Sequence, residues 1–424
     1  MTEYTLDAAV IGGGAAGMSA AKALVDAGCT TALVEREQTL GGILLQCIHN
    51  GFGVHEFKEE LTGPEYAERW EDMVTPLAGP RGATIFTDTT VMELIPGSDE
   101  GGFTLVCVSP GSGFFHIRTR AVVLTAGCRE RNRGNIRIPG TRPAGVYTAG
   151  LAQRMVNMEG CLPGKDAVIV GSGDIGLIMA RRLVWSGCRV HGVVEIQPYP
   201  SGLTRNIVQC LNDFSIPLYL SHVVSRIHGR TRLEAVDITP LEEGRPDTAK
   251  TFTQACDNLL LSVGLIPSAE LAREAGAQLN PLTGGPLVDC RLMSTVPGLF
   301  AAGNGLHVHD LVDYVSAEAR RAGENAAAYL SGYQPARQIR LKPGSNIRYL
   351  VPGTLDPARP QPILFRPMIV KNGAILTLSL DGKIIKEQKK NHIQPSEMMQ
   401  VDPAKLDLGN LELRPDSVLE VSLS

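Results

Sequence analysis

The stretch VIGGGAAG at residues 10–17 decides the fold of this chain, and VIVGSGDIG at residues 168–176 repeats its pattern. Each stretch follows a short apolar run and opens a segment with helical character. The glycines of the two patterns are Gly12, Gly14 and Gly17, then Gly171, Gly173 and Gly176. Two copies in the same strand–turn–helix frame predict two nested Rossmann-like folds and an α/β architecture.

The glycine spacing has a physical reason. The first glycine allows a tight turn, the second lets backbone approach a pyrophosphate, and the third lets helix pack on strand. The helix N-terminus supplies unpaired N–H groups and a positive dipole. Glu35 and Glu195 each end the next apolar run, where a carboxylate accepts hydrogen bonds from ribose hydroxyls. The alternative, that these are only glycine-rich turns among 46 glycines, requires the whole frame to arise twice by chance.

The composition is that of a globular protein. The 424 residues are enough for two or three domains, and 43% hydrophobic with 20% charged residues is ordinary. A net charge of −4 without a basic, aromatic-rich stripe argues against a nucleic-acid partner. No apolar run reaches the roughly 18–20 residues of a membrane span, and we expect no signal peptide.

The nine cysteines are dispersed, and no two have Cys-x-x-Cys spacing. Zinc, iron–sulfur and redox-disulfide sites therefore lack ligands at their usual spacing, and we predict no metal. An odd number of scattered thiols is typical of a reducing compartment, which predicts a cytoplasmic protein.

The pattern along the chain indicates three blocks. Strand 6–11, helix 15–27 and strand 31–35 surround the first fingerprint. Short alternating runs over residues 83–126 predict a meander that ends in the buried strand AVVLTAG. A second βαβ unit surrounds the second fingerprint, and a helix is expected from about residue 310 to 330. Residues 340–424 show short alternating runs between prolines and glycines, which predicts a small C-terminal β-rich domain.

Four features together resemble the two-dinucleotide-binding-domain flavoproteins, the superfamily of glutathione reductase and thioredoxin reductase. They are the first fingerprint with Glu35, TAG at 125–127, the second fingerprint with Glu195, and GLFAAGN at 298–304. The resemblance covers residues 5–330. It implies that residues 1–150 and 280–335 form an FAD-binding domain, that residues 151–279 form an inserted NAD-binding domain, and that residues 336–424 form the β-rich domain.

The resemblance also adds residues to the expected FAD site. They are Gly42, Ala126, Gly127, Gly303 and Asn304. The superfamily has an aspartate at the position of Asn304, where it hydrogen-bonds the FAD ribitol. An asparagine also accepts and donates hydrogen bonds, so flavin binding is still expected.

A narrower resemblance rests on GGILLQCIHNGFG (41–53), GCRERNR (127–133), IPGTRPAGVYTAG (138–150) and GLHVHDLVDYVSAEARRAG (305–323). These stretches are similar to FAD/NAD oxidoreductases found beside anaerobic-type glycerol-3-phosphate dehydrogenase. The part around TAG also resembles the nicotinamide/flavin subunits of opine oxidases, cyanide synthase, and sarcosine or proline dehydrogenase complexes. The resemblance implies a subunit that passes electrons between NAD(H), FAD and a partner.

Nucleotide choice follows from the residues after the second acid. Glu195 accepts from a ribose 2′-hydroxyl and repels a 2′-phosphate, and no Arg or Lys follows it before Arg205. NAD(H) is therefore favoured over NADP(H).

The redox dithiol of disulfide reductases is missing from this sequence. In those relatives the Gly-Gly pair leads into Cys-x4-Cys, whereas in this chain Leu44 and His49 hold the two cysteine positions. Cys47 is single, so no dithiol forms there. A persulfide or sulfenate role for Cys47 remains an alternative to a buried, inert thiol.

His307 and His309 are the main candidates for acid–base chemistry. They precede the last predicted helix, and the superfamily resemblance implies that this helix faces the flavin pyrimidine edge. A histidine there can relay a proton. Alternatively, the two histidines cap the helix or pair with Asp310 and Asp313. His49 is a weaker candidate of the same kind.

The sequence therefore predicts an FAD-dependent oxidoreductase that transfers hydride between NAD(H) and flavin, as a subunit of a glycerol-3-phosphate-linked dehydrogenase complex. One alternative is the NAD/FAD subunit of an amine, imino-acid or opine dehydrogenase. Another is an electron-transfer component without substrate turnover. We expect a homo- or hetero-oligomer, with the β-rich domain as a docking surface and its Lys-rich run at Lys383, Lys386, Lys389 and Lys390 as a solvated edge strand.

Overall fold

A computed structural model describes residues 2–97, 101–406, 413–414 and 416–424. Two compact units result. The first unit combines Met1–Cys128 with Pro267–Ser424, and the second consists of Arg129–Ile266. The second unit is thus inserted into the first along the sequence. The finer division, with a separate domain from residue 336, stays a prediction.

The helices and strands are numbered in chain order. Up to residue 130 they are β1 (Thr2–Thr5), β2 (Ala8–Ile11), α1 (Ala15–Asp26), β3 (Thr31–Val34), β4 (Asn50–Phe52), β5 (Leu61–Thr62), α2 (Gly63–Val74), β6 (Ala83–Phe86), β7 (Thr90–Pro96), β8 (Phe103–Ser109), β9 (Gly113–Thr119), β10 (Ala121–Leu124) and β11 (Cys128–Glu130). From there to residue 267 they are α3 (Arg133–Ile136), β12 (Val146–Thr148), α4 (Ala149–Asn157), β13 (Asp166–Val170), α5 (Asp174–Trp185), β14 (Arg189–Glu195), α6 (Thr204–Cys210), β15 (Leu218–Leu220), β16 (His222–His228), β17 (Ala235–Glu242), β18 (Arg245–Pro246), β19 (Phe252–Ala255), β20 (Asn258–Leu261) and β21 (Leu265–Pro267). The remainder are α7 (Glu270–Glu274), β22 (Leu299–Ala301), α8 (Val312–Leu330), β23 (Ile339–Pro343), β24 (Ile347–Val351), β25 (Thr354–Leu355), β26 (Ile363–Pro367), β27 (Lys371–Leu380), β28 (Lys383–Ile393), β29 (Met399–Val401) and β30 (Val418–Leu423).

A five-stranded parallel sheet, in the order β22-β10-β2-β3-β6, forms the centre of the first unit. All four residues of β2 are buried, as expected for a parallel strand covered on both faces. Ala8 and Val10 pack in the core that includes α1 and α8, while Ala9 and Ile11 pack in the core that includes the meander. The predicted nested α/β fold is confirmed.

Helices α1 and α8 pack closely because small residues line their contact. A Cβ on Gly323 of α8 would lie 2.5 Å from the carbonyl oxygen of Ala20 on α1. Helix α8 also contacts β10 and β22 of the parallel sheet. The fingerprint helix and the helix that follows the two histidines therefore belong to one packed layer.

The predicted meander over residues 83–126 is only partly correct, because β6 at its start and β10 at its end belong to the central parallel sheet. β7, β8 and β9 pair antiparallel, and β1 joins β9 in parallel. β10 lies in the central parallel sheet instead, after a break at Arg120. The reason is burial: β10 is buried at every residue, whereas the residues of β9 vary in exposure as in a half-covered strand.

The second unit repeats the βαβ frame. Its parallel sheet has the order β12-β20-β13-β14-β15, and α5 begins directly after Gly173. A small antiparallel sheet of β16, β17, β18 and β19 completes it. This matches the predicted second Rossmann-like fold.

The C-terminal strands form two small sheets in the orders β25-β23-β30-β27-β28 and β24-β26-β29. They share a hydrophobic core that includes Ile363, Phe365 and Leu376. β28, which carries the lysines, lies at the sheet edge as predicted. Within the described residues, no helix is long and apolar enough to cross a membrane.

Candidate active site

The three glycines of the first fingerprint have different neighbours. A Cβ on Gly12, whose φ is +105°, would lie 2.5 Å from the carbonyl oxygen of Thr125, and one on Gly17 would collide with the carbonyl oxygen of Gly12. At Gly14 the nearest atom to a Cβ is the carbonyl oxygen of Gly41, 3.9 Å away. Protein packing thus requires the first and third glycines, while the space beside Gly14 is open for a ligand.

The second fingerprint has the same arrangement. A Cβ on Gly171 would collide with the carbonyl oxygen of Ser262, and one on Gly176 would lie 2.7 Å from the carbonyl oxygen of Gly171. Beside Gly173 the nearest atom is the Ser262 hydroxyl oxygen at 3.8 Å. Both loops therefore fit the approach of a pyrophosphate to the helix N-terminus.

The two acids are buried and fixed by donors. Glu35 accepts from the backbone N–H groups of Gly13 (2.6 Å) and Glu37 (2.8 Å), one on each carboxylate oxygen. Such a carboxylate is acceptor-only and retains lone pairs for ribose hydroxyls.

Glu195 is held by more donors than Glu35. Its Oε2 accepts from the Ser172 N–H (3.0 Å), the Ser172 hydroxyl (2.6 Å) and the Ser201 hydroxyl (3.0 Å), while Oε1 accepts from the Gln197 N–H (2.9 Å). Oε1 thus keeps acceptor capacity for a ribose hydroxyl.

The remaining expected FAD residues lie at the same end of the central sheet. Gly42 approaches Gly14, since its Cβ would lie 3.3 Å from the Gly14 Cα. Ala126 and Gly127 follow β10, and Gly303 and Asn304 follow β22, which pairs with β10. Because the carboxyl ends of parallel strands meet at one edge, these loops converge there. Their contacts to FAD stay predictions.

A buried carboxylate joins the two candidate histidines. His307 Nε2 lies 2.8 Å from Oε1 of Glu318, and His309 Nε2 lies 3.1 Å from Oε2 of the same group. The backbone N–H of Gly303 donates to Oε2 at 2.7 Å. His307 and Glu318 are 0% exposed and His309 is 8% exposed. We call His307, His309 and Glu318 the His–Glu–His cluster.

The ionisation of the cluster follows from its surroundings. Burial favours a neutral Glu318, but the histidines and their hydrogen bonds outweigh it and hold the pKa of that carboxyl well below its ordinary value. Burial, and then the charge of His309, lower the pKa of His307 against the opposing charge of Glu318. An ionised carboxylate only accepts, so both imidazoles donate their Nε2–H to Glu318, and a neutral His307 keeps a lone pair on Nδ1.

Neither Nδ1 atom has a hydrogen-bond partner among the described residues. A buried imidazole lone pair oriented by a carboxylate is the arrangement of a general base. The three side chains are also the one group of described residues whose composition suits a metal ion. A metal on the Nε2 atoms would need partners for both Nδ1–H groups, which the described residues do not supply. The predicted absence of metal stays a prediction.

The alternative partners expected for the histidines are wrong. Asp310 pairs with Arg366 instead, and Asp313 accepts from the backbone N–H of His55 at 2.9 Å. Helix α8 begins after Leu311 without a side-chain cap. Glu318 was missed in the sequence, although a Glu between Ala317 and Ala319 of α8, after His-x-His, was a usable signal. Such a residue must be paired when its helix face is buried.

Cys47 and His49 lie beyond the short 3-10 helix Gly42–Gln46. Cys47 is buried, its thiol donates to the carbonyl oxygen of Ile43 (3.3 Å), and burial raises its pKa to about 12. The His49 ring lies 5.1 Å from that of Phe52. A thiol with a raised pKa is a poor nucleophile, so the geometry favours the inert alternative for Cys47.

Comparisons with known proteins agree with this geometry. The chain is 27% identical over 295 residues to hydrogen cyanide synthase subunit HcnB of Pseudomonas protegens, covering 65% of this chain and 60% of that protein. It is 25% identical over 318 residues to an opine oxidase subunit of Rhizobium meliloti, covering 70% and 58%. The chain thus spans about 60% of the length of these relatives.

The fold matches a solved structure and a family. Thioredoxin reductase of T. acidophilum superposes with a TM-score of 0.61 at 22% identity, over 77% of this chain and 98% of that one. Residues 6–324 match the pyridine nucleotide-disulphide oxidoreductase family. The chain therefore belongs to this family and is an FAD- and NAD(P)-dependent oxidoreductase.

Proposed function

We propose that this chain transfers hydride between NAD(H) and FAD as the nucleotide-oxidising or nucleotide-reducing subunit of a dehydrogenase complex. The observation that carries the proposal is the pair of loops at Gly14 and Gly173. In each loop, protein atoms occupy the space beside the first and third glycines, and the space beside the middle glycine is open. A buried acid, fixed by hydrogen bonds, lies at the end of the next strand. One chain therefore offers two dinucleotide sites.

Hydride exchange is the chemistry that the flavin and nicotinamide supply when bound. The chain's own task is to bind, orient and handle protons. Glu318 fixes the tautomer of His307 and His309, so that Nδ1 of each imidazole accepts or returns a proton. The cluster is buried, which strengthens its hydrogen bonds.

We propose NAD(H) as the nucleotide of the second unit. The Glu195 carboxylate is 4% exposed and held by two serines, so it cannot turn away from a 2′-phosphate. Its charge repels that phosphate and attracts a 2′-hydroxyl.

Disulfide reduction has no support in this chain. None of its nine cysteines forms a disulfide in the structure, and burial raises the pKa of the Cys47 thiol. Electrons must then leave through another molecule. Two similar proteins are named as subunits, of hydrogen cyanide synthase and of opine oxidase, which supports a partner subunit.

For the organic substrate we propose a glycerol-3-phosphate-linked reaction, because stretches at 41–53 and 305–323 resemble oxidoreductases found beside that dehydrogenase. The similarity to the opine oxidase subunit supports a second candidate, an amine, imino-acid or opine dehydrogenase. A third candidate is an electron-transfer component without turnover of its own. Dispersed cysteines outside any disulfide support a cytoplasmic location.

The test uses the purified chain with its flavin. With NADH it should reduce an artificial dye readily, and glutathione disulfide or thioredoxin negligibly. Flavin bleaching by glycerol 3-phosphate, or by amines, with any co-purifying subunit then separates the substrate classes. A flavin-loaded chain that reduces no dye with either nucleotide contradicts the proposal.

A further inference from the structure

The loop that carries both imidazoles is held from the C-terminal sheets. Arg366 of β26 donates from Nη2 to the carbonyl oxygen of Val308 at 2.9 Å. Its guanidinium also forms a two-pronged pair with Asp310, with Nη2 2.5 Å from Oδ1 and Nη1 3.2 Å from Oδ2. Bidentate Arg–carboxylate pairs fix orientation as well as distance. One side chain thus binds the loop directly after His307 and directly after His309.

The same guanidinium connects the loop to a second segment. Its Nη1 donates to the carbonyl oxygen of Ser396 at 2.6 Å, and the backbone N–H of Met398 donates to Asp310. The side chains of Arg366 and Asp310 are only 13% and 18% exposed. If one charge of such a mostly buried pair is removed, the other charge is left uncompensated, which is strongly destabilising.

Tyr349 of β24 adds an apolar contact. Its ring stands perpendicular to that of His307, with centroids 5.9 Å apart. Tyr349 and Val351 pack in the core that contains α1 and α8, rather than in the core of the C-terminal sheets. Two strands of the C-terminal region therefore pack directly on the elements of the His–Glu–His cluster.

We propose that Arg366 is a positioning residue of the candidate active site. It holds the 307–310 loop so that both imidazoles meet Glu318, which makes the C-terminal sheets part of this site rather than only a docking surface. The catalytic consequence rests on the proposed function, whereas the positioning of His307 does not.

Arg366 also acts through its charge. The groups that act on His307 are Glu318 of α8, His309 of the loop and Arg366 of β26, and the Tyr349 ring of β24 stands against its imidazole. Asp310 is the partner of Arg366. Burial is the main effect that lowers the pKa of His307, and the positive guanidinium of Arg366 adds a smaller effect in the same direction. Removing the charge should raise the pH at which His307 titrates, while removing Asp310 should lower it.

The experiment compares Arg366→Met, Arg366→Lys and the control Arg340→Met, an exposed arginine of β23, in the flavin-loaded chain. Two readouts are the NMR titration of His307 and the pH profile of NADH-driven dye reduction. Arg366→Met should raise the pH at which His307 titrates and lower kcat about tenfold. Arg366→Lys keeps the positive charge but loses the two-pronged guanidinium contact. It should therefore restore the His307 titration to its wild-type pH but recover only part of kcat.

If the Arg366→Met variant matches the Arg340→Met control in both readouts, the proposal is overturned. If Arg366→Met fails to fold, Asp310→Asn decides: it should lower kcat while shifting the titration downward, and no change in either refutes the role of the pair. A wild-type chain inactive with NADH would contradict the proposed function, but the His307 titration would still test Arg366.

Discussion

The two nucleotide-binding frames of this molecule share the same backbone arrangement at their glycines and differ in the side chains around it. At both, packing fills the space beside the first and third glycines and leaves the middle one open. In the first unit a buried His–Glu–His cluster belongs to the same α/β core as the fingerprint. In the second, the histidines of residues 129–266 (His191, His222 and His228) are all partly exposed.

The two acids, Glu35 and Glu195, also differ in the groups that hold them. Glu35 is held by two backbone N–H groups, whereas Glu195 is held by two backbone N–H groups and two serine hydroxyls. Under the proposed function, the polar groups of the second unit recognise a ribose, and the first unit adds groups that move protons. The difference teaches that a repeated fingerprint fixes the fold of a site, while residues distant in sequence determine its chemistry.

The largest expected effect is the loss of FAD when the first nucleotide-binding frame is disrupted. Gly14→Val places a side chain in the open space, so we expect FAD content to fall from about one per chain to near zero, measured by release on denaturation. Gly173→Val should keep the FAD and lose its reduction by NADH. Gly111→Val, in open space on the surface, serves as the control. FAD retained at wild-type level in Gly14→Val would contradict the assignment of the first frame.

The next effect separates the working groups of the first unit. His307→Asn, His309→Asn and Glu318→Gln should each slow dye reduction, roughly 10²-fold where the imidazole relays a proton. Cys47→Ser should leave the rate largely intact, because that thiol is buried and its pKa is raised. If Cys47→Ser abolished dye reduction while the histidine variants stayed active, the assignment of an inert thiol and working histidines would be wrong.

A smaller effect concerns the second frame. Stopped-flow reduction should show NADH at least about tenfold more efficient than NADPH, a difference of about 1.4 kcal/mol. Glu195→Ala should narrow this ratio, whereas Glu35→Ala should weaken FAD binding and leave the ratio unchanged. Equal efficiencies in the wild-type chain would refute the preference.

The smallest effect is on stability. Burial lowers the pKa of His307 in the folded chain, so below the unfolded histidine pKa of about 6.5 the unfolded state binds more protons. The lowered pKa of Glu318 acts in the same direction only below the unfolded Glu pKa of about 4.3. Acidification from about pH 6.5 to 5.5 should therefore destabilise α8, by less than about 1.4 kcal/mol for this one group. Hydrogen exchange should show α8 losing protection and α5 unaffected; equal losses would argue against a neutral buried His307.

Much of this fold could be predicted because its signals are local. The fingerprints, their strands and the helix after residue 310 follow from glycine spacing and apolar runs, and the lysine edge of β28 follows from composition. The division of the run at Arg120 between two sheets could not be predicted, because pairing partners are set by tertiary burial. Glu318 and Arg366 were missed for a related reason: their partners are brought to them by helix packing and by a sheet that begins far along the chain.

The most direct test of the account is stopped-flow reduction of the flavin in the isolated wild-type chain by NADH. We predict that the oxidised flavin absorbance disappears in a rapid phase that saturates with NADH, and that this phase is lost in Gly173→Val although FAD remains bound. A folded, FAD-containing chain whose flavin stays oxidised with both NADH and NADPH would contradict the claim that one chain carries two cooperating nucleotide sites.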